Sequence, residues 1–332
     1  MLRNALRERR AAGGLTQADL AREAGISRPQ VAAIEAGRHT PSVTAGLALA
    51  RALGVPLEEL FPSEPSAAVP VVESAPEGAP LVLGRVGDRL VYSALPDRGA
   101  GTELFRAADG ILRGGSVRVL PGCETRGVVV AGCDPSLGLM ADLLPMRGYR
   151  AVPVHATTWD ARRALAQGRC HAALVHGRSR DLRRPASGVV RYGLGRWRVG
   201  IAHRAARDVS LLALAEGSLR FAQRVPGAAA QRALMRALRR ESPTPQPSGP
   251  IASSHLDAAR RVSLGDVDGA ITIEPCARAY DLAFDPLEEH RVELWIGEGF
   301  AGDPGVQALG GLLGSGAFRA RIEALGGYEL SA

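Results

Sequence analysis

LTQADLAREAGISRPQVAAIEAG, residues 15–37, determines how the first part of the chain folds. Its apolar positions recur at helical spacing on both sides of Gly25, which predicts two short helices joined by a tight turn. Thr16 and Ser27 each precede a helical segment, where a hydroxyl oxygen can accept a hydrogen bond from a free backbone N–H. The stretch therefore predicts a helix-turn-helix.

Residues 16–37 also match a longer pattern, T-Q-x-x-L-A-x-x-x-G-I-S-x-x-x-V-x-x-I-E-x-G. In this they resemble the lambda-repressor/Cro-like, XRE-type DNA-binding domains. The resemblance covers residues 1–62 and implies an all-α domain of five helices, the first over 2–12 and the fourth over 43–53. Domains of this type bind palindromic sites as dimers, so the resemblance implies a double-stranded DNA operator and a homodimer or higher homo-oligomer as partners.

The second helix of such a motif enters the major groove by its N-terminal turns. Arg28 and Gln30 are the long polar side chains there, and they can bind guanine and adenine respectively, each in a bidentate manner. Gln17 matches the family position that contacts a phosphate. The full set of candidate DNA-binding residues is Gln17, Ser27, Arg28, Pro29, Gln30, Ala33, Arg38, Thr40 and Ser42.

The composition is that of a globular protein of two or three domains. The chain has 332 residues, 46% of them hydrophobic, and a net charge of +7 that permits nucleic-acid binding without demonstrating it. Its four cysteines form no CxxC pair, which indicates reduced thiols. No signal peptide and no apolar run of about 18 residues is present, so we expect a soluble, cytoplasmic protein.

The stretch from Pro62 to Pro80 contains five prolines and no aromatic residue, which predicts a flexible linker over residues 63–79. Beyond it, over residues 80–332, apolar segments such as GVVVAGC (127–133) and CHAALVH (170–176) alternate with helical patterns. Apolar strands joined by helices predict a parallel, doubly wound α/β sheet. A strand pair near 282–296 and two helices near 304–313 and 316–325 are predicted to follow.

Six blocks of this second region occur in the order seen in another family. They resemble the periplasmic-binding-protein-like substrate-binding domain of bacterial regulators and molybdopterin-pathway proteins, the molybdate/molybdopterin-associated type. The resemblance covers about residues 100–330 and implies a two-lobed, type-2 fold with a ligand cleft between the lobes. The blocks are AGCDPSLGLMADLL, HATTWDARRALAQGRCHAALVHG, LRFAQRVPGAAAQRALM, SHLDAARRVSLGDVDGAITIEP, LAFDPLEEHRVELWI and SGAFRARIEALGGYELS.

Ligands of doubly wound sheets bind beyond the C-terminal ends of the strands, where helices begin. Three places fit, after the first two strands and at the start of the helix near residue 228. At the third, the family usually shows R-x-x-G-S-G-T-R, whereas this chain has R-V-P-G-A-A-A-Q, which weakens an oxyanion pocket. The candidate ligand-binding residues are Cys133, Asp134, Ser136, Thr157, Thr158, His176, Arg224 and Gly227.

A metal or redox site at the same sheet edge is an alternative to the small-molecule site. Cys133, His155 and His176 end three neighbouring predicted strands and could converge on one metal ion or form a thiol-redox sensor.

No GxSxG, HExxH or P-loop motif is present, so we expect no enzyme, no catalytic residue and no cofactor. The sequence favours a one-component transcriptional regulator whose C-terminal domain senses a small molecule, an oxyanion or a cofactor-related metabolite. A C-terminal domain that acts only as an oligomerisation module is a further alternative.

Overall fold

The structure is a computed structural model that describes residues 5–61, 68–95, 106–182 and 188–331. It divides into two compact units. The first unit comprises Met1–Ala68, Ala75–Leu81 and Ala94–Glu124, and the second comprises Val69–Ser74, Val82–Ser93 and Thr125–Ala332.

Five helices form the N-terminal domain, as the sequence predicts. Thr16 and Ser27 cap the second and third helices, each within a reciprocal capping box, and Gly25 takes the left-handed conformation between them (φ 64°). Leu20 and Ile34 are fully buried in the shared core. The start of the predicted first helix, residues 2–4, lies outside the described residues. The helices are α1 (Leu6–Ala12), α2 (Gln17–Ala24), α3 (Arg28–Glu35), α4 (Val43–Leu53) and α5 (Leu57–Leu60).

Short strands follow, and one of them lies inside the predicted linker. Val69 and Pro70 pair in parallel with Val91 and Tyr92, and Val71 is buried in the core of the second unit. This part of the predicted linker therefore belongs to the fold of the second unit, whereas residues 63–67 lie outside the described residues. The strands are β1 (Val69–Pro70), β2 (Pro80–Val86), β3 (Arg89–Ala94), β4 (Gly110–Arg113) and β5 (Ser116–Val119).

An eight-stranded sheet forms the centre of the α/β domain. The three strands from which the sequence predicts a parallel sheet do pair in parallel, but the sheet as a whole is mixed, because its other long strands pair antiparallel. The strands are β6 (Val128–Gly132), β7 (Ala151–His155), β8 (Ala172–Gly177), β9 (Val189–His203), β10 (Phe221–Ala222), β11 (Gly269–Ile273), β12 (Ala283–Gly297) and β13 (Glu329–Leu330). They follow the order β10-β11-β9-β12-β8-β6-β7, with β13 paired to β9.

Two strands of 15 residues each, β9 and β12, pair antiparallel along their whole lengths and hold the domain together. One end of β12 pairs with β8, whereas the opposite end of the pair joins β11 through β9. The sequence predicts a strand pair near 282–296, but the structure has the single strand β12 there. Because both long strands pass through both halves of the sheet, they join two lobes, as the family resemblance implies.

Helices cover both lobes. The C-terminal pair, α12 and α13, has the predicted bounds. No helix within the described ranges combines the length and the apolar character needed to span a membrane. The helices are α6 (Ser136–Leu143), α7 (Thr158–Ala166), α8 (Leu211–Ala215), α9 (Ala229–Glu241), α10 (His255–Ser263), α11 (Glu274–Ala279), α12 (Pro304–Leu313) and α13 (Gly316–Leu325).

The close pairing of β9 with β12 generates a stability prediction at Gly200. A Cβ atom at Gly200 would lie 2.2 Å from the carbonyl oxygen of Asp285 on β12, so a methyl group there must push the strands apart. We expect Gly200→Ala to lower the free energy of unfolding by about 1–3 kcal/mol in a denaturant titration.

Gly138→Ala is the matched control, because a Cβ atom on this exposed residue of α6 meets nothing within 4 Å. Alanine in a helix is favoured over glycine by up to about 1 kcal/mol, so this variant should be as stable as the parent or more stable. Equal stabilities of the parent and the Gly200→Ala variant would contradict the close approach of the two strands.

Candidate functional site

The N-terminal end of α3 presents a polar surface to solvent. Ser27, Arg28, Pro29 and Gln30 are all exposed, whereas Val31 next to them is buried against the other helices. This arrangement follows from the helical spacing of the apolar residues, which turns one face of α3 to the core and leaves the other free. The surface therefore has the geometry that groove recognition by a helix-turn-helix needs.

Gln30 and Arg28 differ in their hydrogen bonds. The Gln30 side-chain oxygen accepts hydrogen bonds from the backbone N–H of Ser27 at 2.9 Å and from its hydroxyl at 3.0 Å. Within the ranges that the structure describes, Arg28 forms no hydrogen bond or ion pair with its side chain. The base-reading role predicted for Gln30 would thus compete with its role in capping α3, whereas Arg28 needs no such rearrangement.

Gln17, a predicted phosphate contact, is held by a buried carboxylate. Its amide donates to Glu35 at 2.8 Å, and Arg10 donates to the same carboxylate at 2.6 Å. Burial raises the pKa of Glu35, but the hydrogen bonds from Arg10 and Gln17 outweigh burial and keep the pKa below its usual value. Three helices, α1, α2 and α3, are thereby tied together through Glu35.

The remaining predicted DNA contacts lie on the loop after α3 or beside it. Arg38 and Thr40 are exposed, and Ala33 is half-buried. Ser42 is the N-cap of α4, where its hydroxyl accepts a hydrogen bond from the Ala45 backbone at 3.2 Å.

A second set of polar residues converges where the two lobes meet. Cys133 follows β6 and His176 lies on β8, both in the first lobe. His255 begins α10 in the second lobe. The potential ligand atoms of these three residues lie within 4.8 Å of one another, and all three side chains are buried.

Of the predicted trio Cys133, His155 and His176, the structure brings together the first and third. His155 ends β7 but its side chain is exposed, and it does not belong to the cluster of three. His255 takes its place, and sequence reasoning missed it because the histidine stands at the first position of an ordinary helix with Ser254 as its N-cap. Nothing in its local sequence distinguishes it from a structural residue.

The imidazole of His176 takes part in a chain of hydrogen bonds. Its Nε2 lies 3.1 Å from the Cys133 sulfur, and its Nδ1 lies 3.1 Å from Nδ1 of His290 on β12. His290 Nε2 lies 3.3 Å from the Glu288 carboxylate, which Arg236 binds through two hydrogen bonds of 2.6 Å. Although burial raises the pKa of Glu288, the hydrogen bonds from His290 and Arg236 keep it well below its usual value. Glu288 is therefore an ionised acceptor at neutral pH.

Burial keeps the other members of the cluster neutral. It raises the pKa of the Cys133 thiol to about 12, against the opposing effect of the Arg224 charge. Burial, together with the positive charges of neighbouring groups, holds the pKa values of His176 and His255 well below the usual value. Cys133 is accordingly a thiol and both imidazoles are uncharged at neutral pH.

Indole and imidazole rings pack around the cluster. The His176 ring centre lies 4.6 Å from that of Trp197 on β9, 5.3 Å from that of His290 and 5.9 Å from that of His255. The side chains of the lobes thus contact one another where the family resemblance implies a ligand cleft.

Asp134 accepts three hydrogen bonds from neighbouring groups. Its carboxylate accepts from the Trp197 indole at 2.8 Å, from the Tyr328 hydroxyl at 2.7 Å and from the backbone N–H of Ser136 at 2.8 Å. A resident carboxylate therefore occupies the start of α6, where a bound anion was predicted. An incoming oxyanion would meet a like charge there.

Three buried polar atoms have no hydrogen-bond partner within the described part of the chain: the Ser136 hydroxyl, Arg224 Nε and His255 Nδ1. Unpartnered buried polar atoms are costly and rare in native proteins, so each needs an explanation. All three belong to residues at or beside the meeting place of the lobes, which makes this region the candidate ligand site.

Arg224 is held inside the second lobe. One of its terminal nitrogens donates to the Ala252 carbonyl at 2.5 Å, and its backbone N–H donates to the Gln231 side chain at 2.9 Å. Gln231 stands where the resembled family has a second arginine, and here it supports the backbone of the loop. Gly227 is exposed, with φ 88°, and lies outside the buried cluster.

Thr157 and Thr158 have structural partners. Thr157 is the N-cap of α7, where its hydroxyl accepts from the backbone N–H of Asp160 at 3.2 Å. The buried Thr158 hydroxyl bonds the backbone of His176, accepting from its N–H and donating to its carbonyl, both at 3.2 Å. Thr158 thus fixes β8 at the position of His176.

Two family models match the chain. A helix-turn-helix model matches residues 6–60, and a PBP superfamily domain model matches residues 141–314. The chain belongs to the PBP superfamily and carries an XRE-type helix-turn-helix domain at its N-terminal end.

Known relatives match the N-terminal domain. An uncharacterized HTH-type transcriptional regulator of Methanocaldococcus jannaschii is 40% identical over 60 residues, which are 91% of that protein and 18% of this chain. A similar regulator of Methanothermobacter thermautotrophicus is 41% identical over 61 residues, 88% of that protein and 18% of this chain. The N-terminal domain therefore has homologues among transcriptional regulators.

The α/β domain is similar to solved structures at low identity. The bromide-bound regulatory domain of HypT from Salmonella typhimurium aligns at a TM-score of 0.46 and 14% identity, covering 59% of this chain and 98% of that one. A phosphate transport receptor from Vibrio cholerae aligns at a TM-score of 0.45 and 10% identity, covering 61% and 100%.

The Glu35 cluster generates a prediction about the N-terminal domain. Glu35→Gln weakens the bonds with Arg10 and Gln17, so we expect it to lower the opening free energy of the α2 and α3 amides by roughly 1–3 kcal/mol at pH 7. The depressed pKa of Glu35 stabilises the fold above the usual value of 4.5, and this stabilisation is lost as pH falls through the folded pKa. The difference between parent and variant should therefore shrink in acid, as measured by amide hydrogen exchange.

Glu23→Gln is the control, since Glu23 is exposed on the same helix pair. An equal loss of protection in both variants, or a Glu35 difference that does not depend on pH, would show that the carboxylate does not tie the helices together.

Proposed function

We propose that the protein is a one-component transcriptional regulator, in which the XRE-type domain binds operator DNA and the α/β domain senses a small effector. The observation that carries this proposal is one chain that combines two features. One is an exposed, polar N-terminal end of α3, and the other is a two-lobed domain with unpartnered polar groups where its lobes meet. The relatives named as transcriptional regulators support the DNA-binding half.

Arg28 is the proposed base-reading residue. Its side chain is exposed at the first position of α3 and has the bidentate geometry that guanine recognition needs. Arg38, Thr40 and Ser42 are proposed backbone contacts, because they follow the recognition helix on the exposed side. A homodimer on a palindromic operator completes this proposal, since helix-turn-helix domains read two half-sites one helical turn apart.

The sensing half is proposed to take an effector other than an oxyanion. Molybdate-type ligands need free donors at a helix start, but Asp134 already accepts three hydrogen bonds beside α6. The segment after Arg224 offers no hydroxyl and no positive charge at Ala228, Ala230 and Gln231. These features support a site that uses the Cys133, His176 and His255 side chains.

Cys133 was proposed above as part of either a metal sensor or a thiol-redox sensor, and the redox sensor has less support. Oxidation of cysteine proceeds through the thiolate, yet burial raises the pKa values of Cys133 and Cys170 to about 12. Both side chains are also buried away from solvent. Metal binding does not need a preformed thiolate, because the ion itself displaces the thiol proton.

Arginine substitutions test the DNA-binding proposal. On DNA selected by the full chain from a random pool, Arg28→Ala should weaken binding by about 1–3 kcal/mol and should have little effect on scrambled DNA. Arg38→Ala should weaken binding to both DNAs and reduce the salt dependence by roughly one counterion. Fluorescence anisotropy at several salt concentrations measures both effects.

Arg22→Ala is the control, since Arg22 pairs with Asp19 on the exposed side of α2. Unchanged sequence preference in the Arg28→Ala variant would remove α3 from the recognition surface. Absence of any DNA binding by the full chain would overturn the proposed function itself.

The effector class is tested by thermal unfolding with molybdate, tungstate, phosphate and sulfate. Because Asp134 repels anions, we expect none of them to raise the unfolding temperature. A ligand present at 100 times its Kd would add about 2.7 kcal/mol, which such a measurement resolves. A shift with molybdate that disappears in Arg224→Gln would show that the oxyanion site persists.

A further inference from the structure

We propose that Cys133, His176 and His255 form a binding site for a single Cu(I) ion. The inference deepens the proposed function by naming the effector of the sensing domain, and its regulatory meaning rests on that function. The three side chains come from the residue after β6, from β8 and from α10, so the ion would join the two lobes.

The spacing of the ligand atoms fits one ion. With bonds of about 2.0 Å to nitrogen and 2.3 Å to sulfur, two ligand atoms on one metal lie roughly 3.3–3.7 Å apart. The Cys133 sulfur and His176 Nε2 are 3.1 Å apart, and all three ligand atoms lie within 4.8 Å of one another. Small side-chain shifts therefore suffice to bring the three atoms to bonding distance.

Hydrogen bonds decide which nitrogen of His176 carries its proton. The Glu288 carboxylate can only accept, so a neutral His290 donates to it from Nε2 and presents a lone pair at Nδ1. That lone pair accepts from Nδ1–H of His176, which leaves the lone pair of His176 Nε2 directed at Cys133. Metal-binding histidines are oriented by such carboxylate-anchored partners.

Charge selects a monovalent ion. Binding replaces the thiol proton of Cys133 with the metal, so Cu(I) and the thiolate form a neutral pair and one proton is released without any change of oxidation state. The buried charges of Arg224 and Asp134 beside the cluster offset each other, so Zn²⁺ bound to one thiolate would leave its own net positive charge unbalanced. One thiolate and two imidazoles also supply three ligands, whereas Zn²⁺ prefers four.

The unpartnered state of His255 is the second observation. Its Nδ1 is buried without a hydrogen-bond partner among the described residues, and its ring centre lies 5.9 Å from that of His176. An ion between the two imidazoles would compensate for the cost of burying such a group. The same residue would thereby link the second lobe to the first.

The test is an anaerobic titration of the purified full chain with Cu(I), in competition with the chromophoric chelator bathocuproine disulfonate. We expect one Cu(I) per chain and at least 100-fold weaker binding in Cys133→Ser and in His255→Ala. His290→Phe keeps a ring but removes the acceptor for His176, and we expect 10–100-fold weaker binding from this positioning residue. Cys170→Ser, which removes a buried thiol outside the cluster, should bind as the parent does.

Two further measurements keep the result interpretable. Thermal unfolding without metal shows whether each variant is folded, and X-ray absorption at the copper edge should show one sulfur near 2.3 Å and two nitrogens near 2.0 Å.

No Cu(I) binding by the folded parent, or binding that Cys133→Ser leaves unchanged, would overturn the site. Stoichiometric Zn²⁺ binding in the absence of Cu(I) binding would overturn the choice of ion. DNA binding by the same preparation separates these outcomes from a failure of the proposed function.

Discussion

The pairing of β9 with β12 is the constraint on which the α/β domain depends. Two strands of 15 residues run antiparallel through both halves of one sheet, so each lobe is built on the same pair. Their register places Trp197 opposite His290, and these two residues supply much of the ring surface between the lobes. Gly200 permits the close approach of the strands, because any side chain there would collide with the β12 backbone. The geometry of the candidate site follows from this register.

The polarity of the region between the lobes is the second notable feature. A core can bury histidine and arginine only at a cost, and that cost grows when a polar atom lacks a partner. Most of the local groups are satisfied: Asp134 accepts three hydrogen bonds, and Glu288 is bound by Arg236 and His290. The atoms left unpartnered belong to Ser136, Arg224 and His255. Such a pattern of satisfied supports around unsatisfied groups is typical of a binding site.

Local sequence rules predicted the N-terminal domain well. Thr16, Ser27 and Gly25 act within a few residues of themselves, so their capping and turn roles can be read from the sequence and are confirmed by the structure. The helices over 304–313 and 316–325 were predicted for the same reason. The two-lobed fold was predicted from the family resemblance. The pattern of apolar strands and helices predicted only a parallel sheet.

Contacts between residues far apart in the chain could not be predicted from the sequence. Pro286 and the charged residues around it interrupt the strand pattern, so the sequence predicts two shorter strands. In the structure β12 continues past them with a bulge. His176 and His290 are separated by 114 positions, and only the folded sheet reveals that their imidazoles meet. His155 was predicted to join Cys133 because both end neighbouring strands. Its side chain is exposed and lies outside the cluster of three, because adjacent strand ends do not fix side-chain direction. The buried partner, His255, comes from the other lobe.

The proposed operator binding and the proposed Cu(I) site belong to one chain, and DNA affinity measured with and without Cu(I) tests their connection most directly. The full chain should bind its selected DNA with an affinity that changes at least tenfold on addition of one equivalent of Cu(I), a coupling of about 1.4 kcal/mol. Cys133→Ser should bind the same DNA with an affinity that Cu(I) leaves unchanged. Equal DNA affinities of the parent with and without bound Cu(I) would contradict the account.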